Sequence, residues 1–123
     1  MYNNQVIDND FRVGNMSTEL LEYTLDICNK DENKRPRFPE RLYSSYVHEM
    51  ISLSVGILED VFFANAIRYK PVQRIEKKEQ ALGKLTALAK LIFIAFKKGW
   101  ISDEQHTAWQ KKVVPLYYII LRW

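Results

Sequence analysis

A single cysteine, Cys28, stands among 123 residues. No disulfide framework can form within such a chain, and a lone thiol suits a reducing compartment, so the cytoplasm is the expected location. Histidine is nearly as scarce, with only His48 and His106. Two histidines and one cysteine fall short of the ligand set of a structural zinc site. His48-Glu49 lacks the second histidine of the zinc-protease motif. The four glycines (Gly14, Gly56, Gly83, Gly99) are scattered and make no phosphate-cradling loop. Glycine and proline, at four each, are too few for the many turns of an all-β chain. The longest apolar run, Leu85 to Phe96, is broken by Lys90. It falls short of the roughly 20 residues of a membrane span. The polar, acidic N-terminus does not read as a secretory leader. Ser44, Ser45, Ser52 and Ser54 have no evident base partner, and Glu59-Asp60 is not accompanied by the Glu-x-x-His of di-iron bundles. The expectation is a non-enzyme with no cofactor and no metal.

What is present points to helices. Hydrophobic residues make up 47% of the chain and aromatics 13%, enough for one folded domain with a real core. Residues 1–16 show no period and read as a flexible tail. Ser17 or Thr18 can cap a first helix carrying Leu20, Leu21, Thr24, Leu25, Ile27 and Cys28 and ending near Asn29. Pro39 suits the first position of a second helix. Tyr43, Tyr46, Val47, Met50, Ile51, Ser54, Ile57, Leu58, Val61 and Phe62 then recur at i, i+3, i+4 spacing as far as Tyr69, just before Pro71. A third helix is predicted from about Val72 to Lys98, closed by Gly99. Ser102 caps a fourth, with Gln105 completing a capping box. Pro115 inside it should produce a kink. Four helices with short links predict an all-α, antiparallel up-down-up-down four-helix bundle over residues 17–123.

Charge is unevenly divided. Residues 1–33 carry two basic residues against seven acids, a net of −5, and residues 34–123 carry sixteen against eight, a net of +8. A basic folded part fits a polyanionic partner or a merely solvated surface. Two sets of cations are candidates for phosphate contact: Arg35, Arg37 and Arg41 before the second helix, and Arg74, Lys77, Lys78 and Lys84 along the third. Their placement in the chain predicts opposite ends of the bundle. The late third and fourth helices are apolar almost all round. Leu91, Ile94, Tyr118, Ile119 and Leu121 exceed what one apolar face per helix can bury. A homo-oligomer with these residues at its interface is expected, the alternative being that the N-terminal segment covers them.

Lys34-Arg35-Pro36-Arg37-Phe38-Pro39 resembles a stretch of the Avd family, the accessory variability determinants of diversity-generating retroelements. So do Ile57-Leu58-Glu59-Asp60-Val61 with Ala64-Asn65-Ala66, the leucines Leu82, Leu85, Leu88 and Leu91, the run Gly99-Trp100-Ile101-Ser102, and the late Trp123. The related bundles encoded in intervening sequences of 23S rRNA genes are similar. The resemblance spans about residues 17–123, and its motifs are short. It implies a cytoplasmic, basic homo-oligomer, similar to Avd in forming a ring-like pentamer. It implies binding to RNA and to the element's reverse transcriptase, with no catalysis by the bundle itself.

Overall fold

The computed structural model describes residues 11–29 and 37–123. It contains four α-helices: α1 (Arg12–Cys28), α2 (His48–Ala66), α3 (Pro71–Lys97) and α4 (Asp103–Arg122). No strand occurs among the described residues. α1 packs on α2 and α4, and α3 packs on the same two helices. Paired residues set the register: Thr24 meets Ser54 and Trp109, Tyr46 meets Leu91, Arg74 meets Ala64, and Gln110 meets Ala89. From Tyr46 with Leu91 to Ala64 with Arg74, rising numbers on the second helical segment meet falling numbers on α3.

α1 begins at Arg12, earlier than the start at Ser17 or Thr18 read from sequence. The two hydroxyls do not cap. Both donate backwards to the Gly14 carbonyl at 2.9 Å, the alternative bond that Ser and Thr make inside a helix. Phe11, placed by sequence in the tail, instead closes one end of the bundle. Its ring meets Phe62 edge-on at 5.1 Å and Trp123 at 6.1 Å between centroids. Gly14 makes this possible, because a Cβ there would lie 2.5 Å from the Phe11 ring. Residues 1–10, the rest of the expected tail, lie outside the described residues.

The second helix is not uniform from Pro39. Pro39 takes φ −53° and ψ 134°, outside the helix. A 3-10 turn, Glu40–Leu42, and a π-helical turn, Tyr43–Val47, precede the α-helical part. The Tyr43 hydroxyl accepts from the backbone N–H of Arg37 at 2.9 Å and of Phe38 at 3.3 Å, tying the widened turn to the preceding segment. Phe38 is buried between the rings of Tyr43 and Trp100.

α2 ends at Ala66, short of the Tyr69 read from sequence, because the chain turns over residues 67–69 before Pro71. Pro71 opens α3 at its first turn. Gly99 closes it in the left-handed region at φ 77°, while Trp100 N–H reaches back to the Ala95 carbonyl and Gly99 N–H to that of Phe96. Both bonds of the Ser102/Gln105 capping box are formed. Ser102→Ala should therefore lower stability by about 1 kcal/mol, read as a shifted urea midpoint with an unchanged slope. α4 remains helical through Pro115, which lies on the exposed side, where the carbonyl one turn earlier can face water.

The buried hydroxyls of Thr24 and Ser54 are paired, whereas the buried Oε1 of Gln110 has no partner. Thr24 Oγ1 donates to the Leu20 carbonyl at 2.8 Å and accepts from Trp109 Nε1 at 3.1 Å. Ser54 Oγ lies 3.0 Å from Thr24 Oγ1 and 3.1 Å from the Met50 carbonyl, sharing one proton between them. One hydroxyl thus joins α1, α2 and α4 at mid-bundle, using its donor and both lone pairs.

Candidate nucleic-acid interface

Four of the seven cations singled out from sequence are engaged within the fold. Arg37 Nε donates to the Ile27 carbonyl at 3.0 Å, in the last turn of α1. Arg74 donates to the carbonyls of Ala64, in the last turn of α2, and Trp123, just past α4, at 3.1 and 3.3 Å. Its guanidinium also lies 4.2 Å from the Trp123 ring centroid. Both arginines satisfy carbonyls that a helix end leaves open, where the helix dipole favours a cation. Lys84 Nζ reaches Asp60 Oδ2 at 2.6 Å, and Lys77 Nζ stands 4.0 Å from Oδ1 of the same carboxylate. Lys84 passes over Gly56, where a Cβ would lie 3.1 Å from its terminal atoms. Lys77 also sits 4.8 Å from the Phe63 ring centroid.

Arg41 is exposed in the 3-10 turn, and Lys78 is half-exposed on α3. Arg35 lies outside the described residues. Of the two basic sets, Arg37 and Arg74 are placed at different helix ends, while Lys84 lies over Gly56 at the middle of α2. Arg37 is beside the end of α1, whereas Arg74 is beside the ends of α2 and α4. They do not form one surface.

The apolar surplus is also redistributed. The Leu91 carbonyl accepts from Tyr46 Oη at 2.6 Å on the α2 side of α3. Ile119 faces α1, lining a hollow with Phe11 and Val13. Ile94 is half-buried. Of the five residues expected at an interface, Tyr118 and Leu121 are the most open, each half-exposed. Sequence reasoning missed Val72, Ile75, Phe93 and Val114, all exposed. At about 100° per residue, Ile75 and Phe93 share one azimuth on α3.

Phe93 and Val114 face each other across a groove of about 380 Å³ between α3 and α4, walled also by Ala89, Lys90, Tyr117 and Tyr118. A second hollow adjoins it through Val114, lined by His106, Gln110 and Lys111. No acidic residue lines either one. The ammonium groups of Lys90 and Lys97 lie 5.7 and 4.9 Å from the Phe93 centroid. His106 stacks on Phe96 at 4.4 Å, and Gln110 Nε2 donates to the Ala89 carbonyl at 3.1 Å, tying α4 to α3 beside the groove. The groove is therefore apolar at its centre and cationic at its rim. Interleaved lysines and open rings are the composition that attracts phosphates while receiving planar groups.

Elsewhere, His48 Nε2 lies 3.3 Å from Ser52 Oγ on the exposed side of α2, a partner for Ser52 that the linear sequence did not reveal. Among the described residues, no group of three or more His, Cys, Asp or Glu is placed to hold a metal ion. No described helix is long and apolar enough to cross a membrane.

Burial pushes the Cys28 thiol up to about 12 from an ordinary value of 9.0, against the opposing pull of Arg37. Cys28 should resist alkylation at pH 8 in the native chain and react at once in urea. The folded state retains this proton more tightly than the unfolded chain. The associated stability is complete below about pH 9 and is lost as pH rises toward 12. Cys28→Ala should flatten that alkaline decline in a series of urea melts.

The fold and this face together define an all-α, four-helix protein with a cation-rimmed apolar groove. The chain matches no family model, no curated protein and no solved structure.

Proposed function

We propose that the chain is a non-catalytic, basic accessory protein that binds RNA and, following its resemblance to Avd, the reverse transcriptase of a diversity-generating retroelement in the cytoplasm. The observation that carries the RNA reading is the α3–α4 face. Lys90 lines one of two adjoining hollows and Lys111 the other, Lys97 lies against the Phe93 ring that walls the first, and no acidic residue lines either. Phosphates supply the complementary charge, and releasing their counterions drives binding. The polymerase part of the reading rests on the resemblance. In its support, two resembling pieces meet in space, since Phe38 packs on Trp100 with centroids 5.9 Å apart.

A second reading is a bundle that binds only protein partners, itself included. The exposure of Val72, Ile75, Tyr118 and Leu121 favours it. The homo-oligomer expected from sequence, a pentamer by the resemblance, would draw on Val72, Ile75 and Leu121 in either reading.

Titrating a labelled structured RNA at about 50 and about 200 mM salt separates the two. The RNA reading expects affinity to fall steeply between them. Lys90→Glu with Lys97→Glu should weaken binding by about tenfold or more at the lower salt, with an unchanged circular dichroism spectrum. No binding at low salt would overturn the RNA reading and leave the protein-only one.

A further inference from the structure

We infer that the groove between α3 and α4 takes nucleic acid as a single strand, with a base entering between Phe93 and Tyr118 and the flanking phosphates held by Lys90, Lys97 and Lys111. This rests on the RNA reading above and adds how the strand is held. A duplex presents phosphates outward and keeps its bases stacked, so it can use the lysines but not the groove. A single strand can use both.

Three features of the face argue for that occupant. The walls include two aromatic rings open to solvent, Phe93 at 38% and Tyr118 at 50% exposure. Such rings serve as stacking platforms that accept any base, because every base has a π-face. Lys90 and Lys97 lie against Phe93 itself, which sets the cations at the mouth of the groove, where a backbone would pass on either side of an inserted base. Like charge around the rim also disfavours closing this part of the face on an identical copy, since a symmetric contact would bring the lysines of two chains together. Val72, Ile75 and Leu121 are exposed outside the groove lining and remain available for protein contact. Gln110, which lines the adjoining hollow, ties α4 to α3 beside the groove through the Ala89 carbonyl.

The test uses the full chain and two labelled probes, a 12-nucleotide single-stranded RNA and the same sequence as a duplex, followed by fluorescence anisotropy. The single strand should bind about tenfold tighter or better. Phe93→Ala should remove most of that preference and leave duplex affinity and its salt dependence unchanged. Phe93→Trp should restore the preference and show indole quenching as strand is added. Circular dichroism of each variant checks the fold, which Phe93 at the surface does not hold. Equal, salt-steep binding of both probes, unaffected by Phe93→Ala, would overturn this inference while leaving the RNA reading intact. Failure of both probes to bind at low salt would overturn both. A self-association, seen by sedimentation, that Phe93→Glu abolishes would overturn this inference alone, because the groove would then belong to a second copy.

Discussion

Trp109→Ala is expected to destabilise the bundle by about 3–5 kcal/mol, a large part of the total stability of a domain this size. The Trp109 side chain is wholly buried, so its removal leaves a cavity that helices on both sides must collapse around. It also withdraws the Nε1 donor from Thr24 and the edge contact with the Tyr23 ring at 6.1 Å. Trp109→Phe separates these effects. The smaller ring fills much of the space but donates nothing, and losing the hydrogen bond should account for about 1 kcal/mol of its cost. Urea unfolding of both variants, with tryptophan emission and circular dichroism in parallel, reads the two amounts. A Trp109→Ala cost no greater than that of Trp109→Phe would mean the core closes over the gap.

The second large effect concerns Asp60 and should be asymmetric. Lys84→Met leaves a carboxylate that is 5% exposed with Lys77 alone beside it, at 4.0 Å, and should cost about 3 kcal/mol. Asp60→Asn should cost less. Its loss frees Lys84, whose side chain is 35% exposed and can swing its ammonium into water. Replacing both, as Asp60→Leu with Lys84→Met, should recover most of the loss, because two desolvated charges then disappear together. A double-mutant cycle measures the coupling. Additive single effects would mean the 2.6 Å contact contributes nothing net. The same geometry makes Lys77 a poor site for probing RNA contact by charge reversal. Lys77→Glu would put a second carboxylate against Asp60 and confound binding with stability.

Some helix boundaries were legible in the sequence from a local chemical signal. Ser102 with Gln105 and Gly99 after Lys97 each act within a few residues, and each boundary falls where its signal stands, whereas Pro71 did not mark the end of α2, which comes at Ala66. Ser17 and Thr18 misled because a hydroxyl can bond forward as a cap or backward to a carbonyl, and only Phe11 folding over Gly14 decides between the two. The candidate site was less legible for a related reason. A lysine on a helical arc reads the same whether it faces solvent or a carboxylate. The position of Asp60 on a neighbouring helix turned Lys77 and Lys84 inward. Arg37 and Arg74 cap helix ends belonging to other segments, which no local window contains. In the stretch around Phe93 nearly every residue is apolar, so periodicity could not say which ring would remain outside. That depended on how closely α4 approaches α3.

α4 lies against α1 as well as against α3, and Phe11 and Trp123 meet where the described chain starts and stops. The four helices therefore form a closed cycle in space, although the chain visits them in one linear order. Phe38 and Ile101 are buried within two of the links, whereas residues 68–70, between α2 and α3, are exposed. A circular permutant joined across the Phe11–Trp123 end and opened in the turn after Ala66 would bury the same side chains in the same places.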